Sequence, residues 1–241
     1  MKQLLTFLLI FILLSCYKSE NRIKKSEKLK DKVSYKNDKV EIKINQTNFQ
    51  ETIYQIVKYY NAKDFTKLNK LINPNLGIYF IYRIGTVDLW KNDKQICVSS
   101  SCKNEISVPY WYREAISKQK TGHNFKLDTV KTDVVIECDS ISKKGLFFVN
   151  NKKAAELLSN TIENYIISIS YDNTEESKKD IAKFKQEIKP IQNWERDSRR
   201  IVLSYKTEDN YFGNTFIFYV TEIEGRWYLS IIDFVSTDCS V

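Results

Sequence analysis

The chain has 241 residues, with 38 Lys and Arg against 30 Asp and Glu, one His and a formal net charge of +8 at pH 7. The single histidine and the lack of a Cys-x₂-Cys pair argue against a structural zinc site. The positive excess is no nucleic-acid signature, because it is concentrated in one N-terminal stretch: residues 17–45 hold ten Lys and Arg against five Asp and Glu, Lys2 adds one charge, and only +2 is left for residues 46–241.

One lysine, Lys2, precedes an almost wholly apolar run over residues 4–14. That is the charged-then-apolar pattern of a secretory signal, and it is shorter than the ~20 residues a membrane span needs. The run ends in Leu13-Leu14-Ser15-Cys16, which resembles the lipobox of bacterial lipoproteins. The resemblance implies a signal peptide over 1–15 that is removed, and a Cys16 that becomes the acylated first residue of the mature chain. A thiolate is the nucleophile that accepts such a lipid, and several acyl chains on one residue make a stable anchor. Tyr17 stands where the sorting rule of that family would place Asp to retain the protein, which points to the outer membrane.

Residues 17–45 contain no Gly or Pro and few apolar side chains. They cannot bury enough surface to offset the entropy of ordering, so with Cys16 they are expected to form a lipidated, disordered, Lys-rich tether over 16–45. A basic stretch beside a lipid anchor suits anionic head groups, and a solvated spacer explains it equally well. A flexible chain of this length reaches about 30 Å.

Residues 46–241 are enough for one substantial core, and 13 Phe, 15 Tyr and 4 Trp in the chain supply it. Phe49, Ile53, Ile56, Val57 and Tyr60 recur at helical spacing; Phe65, Leu68, Leu71 and Ile72 form a second short helix stopped by Asn73-Pro74. Residues 77–83 read as a strand, 84–129 show no regular period, and 134–138 and 146–149 read as two more strands. Helices are expected over 154–169 and over the charged stretch 175–189. Strands 200–205, 215–222 and 226–234 make a meander, closed by a tight turn at Glu224-Gly225. Period-two alternation puts Phe216, Phe218 and Val220 on one face, and Trp227, Leu229 and Ile231 together on another.

Two segments resemble the NTF2-like (cystatin-like α+β) superfamily: the stretch from Tyr59-Tyr60-Asn61-Ala62-Lys63-Asp64-Phe65 to Leu71-Ile72, and the hairpin Thr221-Glu222-Ile223-Glu224-Gly225-Arg226-Trp227-Tyr228-Leu229. The resemblance implies an α+β fold with helices packed on a curved antiparallel sheet around a cone-shaped cavity. The extra length relative to that family falls between Asp88 and Asp197, as a large insertion.

With Cys16 assigned to lipid, Cys97, Cys102, Cys138 and Cys239 remain, and four cysteines in an exported protein allow three disulfide pairings. The short Ser-rich loop between Cys97 and Cys102 favours that pair, leaving Cys138 with Cys239. No phosphate loop, G-x-S-x-G elbow or H-E-x-x-H motif occurs, and no cofactor is expected. Nucleophile–His catalysis would require His123, which sits in the loop-like Lys-Thr-Gly-His-Asn. Asp233, in an apolar strand, is either paired with a Lys or Arg or is an inward-facing acid, and in the second case a tyrosine such as Tyr82 could share proton transfer with it. Tyr110, Trp111 and Tyr112 beside Arg113 are either core or a platform that stacks on sugar rings. The expectation is an envelope lipoprotein that binds a small apolar ligand or a partner protein and no nucleic acid. An NTF2-like enzyme and a carbohydrate-binding module are the alternatives.

Overall fold

The computed structural model describes residues 46–98, 109–118, 125–136, 141–205 and 214–238. The signal, Cys16, the tether, His123 and the cysteines at 102, 138 and 239 lie outside the described residues.

Helix α1 (Gln46–Ala62) leads through Lys63, whose φ of 56° reverses the chain, into α2 (Phe65–Asn69). Asp64 caps α2 by accepting from the Lys67 backbone N–H and its ammonium. Strand β1 (Ile78–Ile84) turns at Gly85 into β2 (Val87–Asp93), and α3 (Tyr110–Lys118) and β3 (Leu127–Val130) follow. β4 (Gly145–Val149) precedes the helical pair α4 (Leu157–Ser170) and α5 (Glu175–Glu195). The chain then runs as a meander through β5 (Ser198–Tyr205), β6 (Asn214–Ile223) and β7 (Arg226–Asp233).

The strands form one open seven-stranded sheet in the order β2-β1-β7-β6-β5-β4-β3. The fold is α+β, but the sheet is mixed rather than antiparallel: β1 runs parallel to β7 and β3 parallel to β4. The β1–β7 pair joins strands from opposite ends of the domain, which strand-by-strand reading cannot register, whereas β3 and β4 are consecutive strands.

Both faces of the sheet are covered. On one, Ile53, Ile56 and Tyr60 of α1 and Leu68 of α2 pack with Tyr112 and Ile116 of α3 over Phe80, Phe216, Phe218 and Leu229. Tyr60 stacks on Phe216 at 3.8 Å. On the other, Leu158 and Ile162 of α4 and Ile188 and Ile191 of α5 cover Ile81, Val202, Ile217 and Ile231.

Several sequence expectations need correction. Trp227, Leu229 and Ile231 do not share a face. Tyr219 pairs with Ile231 while Val220 pairs with Leu229, so a β-bulge at Ser230 resets the alternation and puts Ile231 under α4 and α5. Of the strand expected over 134–138, the described residues 134–136 hold only an isolated bridge between Ile136 and Ile141, and the rest lies outside the described residues; β3 lies earlier, beside β4. The polar edge strand β2 occupies part of the stretch that showed no period. Helix α4 begins at Leu157 after a 3-10 turn over Lys152–Ala155. Helix α5 runs through Pro190 to Glu195. Pro190 removes one i→i−4 hydrogen bond, and burial of Ile188 and Ile191 on either side holds the next turn in place.

Candidate functional site

Asp233 is buried at the end of β7, 2 % exposed, among polar partners. Arg200 Nη1 on β5 donates to its Oδ2 at 2.9 Å, the Ser236 backbone N–H donates to Oδ1 at 3.0 Å, and the Ser236 hydroxyl donates to Oδ2 at 2.6 Å. The same guanidinium donates to the Tyr219 hydroxyl at 2.6 Å, and its Nε reaches Asp133 at 3.1 Å. Burial works against the Arg200 charge, but Tyr219, Asp233 and Asp133 outweigh it and raise its pKa. Burial raises the Tyr219 hydroxyl as well. A buried carboxylate that accepts three hydrogen bonds, one of them from a guanidinium, has the setting of a structural node.

Tyr82 sits elsewhere. It packs among α1, α2 and α3 on the other face of the sheet, its ring 5.9 Å from that of Tyr112, whereas Asp233 shares the α4–α5 side with Ile231. The structure does not bring Asp233 and Tyr82 together. Of the aromatic trio on α3, Tyr112 is core: its hydroxyl bonds to both backbone groups of Arg83 and to Asp238. Tyr110 and Trp111 are 64 % and 56 % exposed.

One concavity among the described residues is a groove of about 730 Å³ between the β1–β2 hairpin and helices α4 and α5. Tyr79 and Trp90 form its sheet wall. Tyr165 of α4 and Phe184, Glu187 and Trp194 of α5 form the facing wall; Tyr82 borders it and Asp233 does not. Residues 184, 187, 191 and 194 fall on one face of α5 because they are spaced by three and four.

The rings are held by one another. Trp90, Tyr165 and Phe184 meet edge to face, at 5.5 Å for Trp90–Tyr165, 5.2 Å for Trp90–Phe184 and 5.5 Å for Tyr165–Phe184. Tyr79 lies against Trp194 at 5.6 Å. All five rings are half-buried, and the hydroxyls of Tyr79 and Tyr165 and the indole N–H groups of Trp90 and Trp194 have no hydrogen-bond partner among the described residues. Burial, reinforced by Glu187 and Glu195, raises the pKa of Tyr79, so its hydroxyl stays a donor. Lys183 lies 3.9 Å from Glu187 on the groove wall.

No protein family, curated protein or solved structure matches the chain.

A second concavity, of about 870 Å³, lies between α1 and the β3–β5 side of the sheet, with Val57, Ala62, Phe125, Leu146 and Leu203 in its lining and Lys58 and Lys126 beside them. No group of His, Cys, Asp and Glu among the described residues could hold a metal ion, and no helix among them is long and apolar enough to cross a membrane. Cys97 is disulfide-bonded. Its partner lies outside the described residues, so no bridge joins two described cysteines.

Sequence reasoning missed the groove. Its residues come from β1, β2, α4 and α5, and no local spacing links them. The one available signal was Phe184 and Trp194 recurring on an otherwise charged helix.

Proposed function

We propose that this chain is a lipid-anchored binding protein of the bacterial cell envelope, tethered through Cys16 and residues 16–45, whose folded part takes up a ligand in the groove between the β1–β2 hairpin and α5. The lipobox residues Leu13-Leu14-Ser15-Cys16 support the anchor, and Tyr17 supports the outer membrane. The observation that carries the binding reading is the groove itself: five half-buried aromatic rings around one concavity, four of them with polar tips that no described residue engages. Large apolar surface with a few convergent polar groups is the usual composition of a ligand site. An NTF2-like core with an inserted α4–α5 pair is the fold reading we favour. Its support is the packing of α1 and α2 on a sheet that contains the final β6–β7 hairpin.

The enzyme alternative loses its motivating pair, since Asp233 is tied to Arg200 and lies apart from Tyr82 and the groove. A second binding surface on α3 is favoured only in reduced form, through Tyr110 and Trp111, because Tyr112 is committed to the core.

The test is native mass spectrometry of the full chain, expressed in a bacterium with its own signal and released in detergent. We expect an acyl mass that Cys16→Ser removes, and a non-covalent ligand mass that Trp194→Ala removes. A chain without acyl groups overturns the anchor; a ligand retained equally by Trp194→Ala overturns the groove.

A further inference from the structure

We infer that the groove ligand is an oligosaccharide, a short run of pyranose rings lying along α5 from Phe184 to Trp194; this rests on the groove being the binding site. The argument begins with what the groove presents at its surface. Half-buried aromatic faces ask for an apolar partner. The tips of the same rings are four donors: the Tyr79 and Tyr165 hydroxyls and the Trp90 and Trp194 indole N–H groups. Glu187 adds an acceptor in the same lining.

A ligand that fills this groove must therefore offer flat C–H surface, hydrogen-bond acceptors, and at least one donor for Glu187. An aliphatic chain supplies the first alone and would leave every tip without a partner, each costing about 1–3 kcal/mol if desolvated. A proline-rich peptide supplies C–H surface and carbonyl acceptors, but its ring nitrogens carry no N–H for Glu187. A phosphate-bearing ligand would find Lys91 and Lys183 in the lining, but Glu187 lies 3.9 Å from the second ammonium and opposes an anion there. A pyranose ring has two C–H faces and a rim of hydroxyls, each of which donates and accepts. It matches every group presented.

The size and stiffness of the groove agree. The α5 face from Phe184 to Trp194 spans about 15 Å at the helical rise, enough for more than one sugar ring. The mutual edge-to-face contacts of Trp90, Tyr165 and Phe184 fix those rings before binding, which lowers the ordering entropy lost on association.

The experiment is isothermal titration of the detergent-purified full chain with cellohexaose, chitohexaose and maltohexaose, and with decaproline and palmitate as counter-probes. At least one hexasaccharide is expected to bind. Tyr79→Phe combined with Tyr165→Phe keeps both rings and removes two hydroxyls, so it should weaken that binding about tenfold or more with an unchanged thermal midpoint. Trp111→Ala on α3 should leave it unaltered. Binding that the double variant does not weaken, or that Trp111→Ala abolishes, overturns the assignment to this groove. If decaproline or palmitate binds in a Trp194-dependent way and no hexasaccharide does, the saccharide class is wrong and the groove stands. If none of the five binds, the saccharide inference is overturned, while the ligand mass lost in Trp194→Ala still decides the groove independently.

Discussion

Arg200 on β5 and Asp233 on β7 meet at 2.9 Å across the intervening strand β6, and the Tyr219 hydroxyl of β6 bonds to the same guanidinium nitrogen at 2.6 Å. The contact staples three strands where β7 ends, and both side chains are almost wholly shielded from water. Removing Asp233 leaves the buried Arg200 with only the partly exposed Asp133 as an anionic partner, whereas replacing both members of a buried pair with apolar groups is far better tolerated. Asp233→Ala should therefore cost about 3–5 kcal/mol, read as a drop in the urea midpoint. The double variant Asp233→Leu with Arg200→Met should recover part of that loss. Ligand binding in the groove should survive both. A loss below about 1 kcal/mol for Asp233→Ala would place the pair with exposed ion pairs and reopen Asp233 as a functional acid.

Glu195 gives the domain a pH dependence. Its buried carboxylate, 1 % exposed, accepts the Leu158 backbone N–H at 2.8 Å and that of Ser159, closing the N-terminus of α4 from the end of α5. Burial raises its pKa to about 7; the bonds from Ser159 and Leu158 oppose the rise and nearby Glu156 adds to it. A carboxylate whose folded pKa exceeds its unfolded value contributes stability that is complete below the unfolded pKa, near 4.5, and lost as pH rises to about 7. Across that window the loss amounts to about 3 kcal/mol. Glu195→Gln keeps an acceptor for α4 and removes the titration. Relative to the native chain it should be more stable at pH 8 and gain nothing at pH 4, measured as thermal midpoints across the range. A parallel shift at every pH would show that Glu195 acts only through packing.

What could be read in advance follows from how local each signal is. The β6–β7 hairpin was legible because alternation and the Glu224-Gly225 turn lie within a few residues of one another. The bulge at Ser230 was not, since it is a mismatch of count between two strands that no residue type in either one announces. The same bulge takes Ile231 off the face that alternation shares with Trp227 and Leu229. Strand β2 was hidden because Asp88, Lys91, Asn92 and Asp93 make an edge strand look like a loop. Asp233 stood out as a charge in an apolar run, yet its partner Arg200 is 33 residues away. The groove was the least legible feature, because Tyr79, Trp90, Tyr165, Phe184 and Trp194 meet only when the α4–α5 pair folds back onto the β1–β2 hairpin.

The disulfide on Cys97 has a direct test. Pairing with Cys102 would close the small Ser-rich loop between them and leave Cys138 for Cys239. Trypsin cuts after Lys94 and Lys103, so both cysteines of the first pair fall in one peptide, which should be two hydrogens lighter before reduction than after. A cross-linked pair of peptides carrying Cys138 or Cys239 with Cys97 would replace that pairing with one of the other two.

The turn between β6 and β7 carries removable strain. Glu224 and Gly225 have φ of 52° and 74°, the two left-handed residues of a type I′ turn closing the Ile223–Arg226 pair. Gly225 suits this geometry. Glu224 does not, because a Cβ in the left-handed region crowds the following carbonyl. Its side chain is exposed and has no hydrogen-bond or ionic partner among the described residues, so replacing it forfeits no contact. Glu224→Asn should stabilise the domain by about 0.5–1 kcal/mol. Gly225→Ala should destabilise it by at least as much, although nothing lies within 4 Å of the added Cβ; the penalty there is purely conformational. Urea midpoints moving in opposite directions for the two variants would confirm the turn type. A neutral Gly225→Ala would mean that the hairpin closes through a different turn.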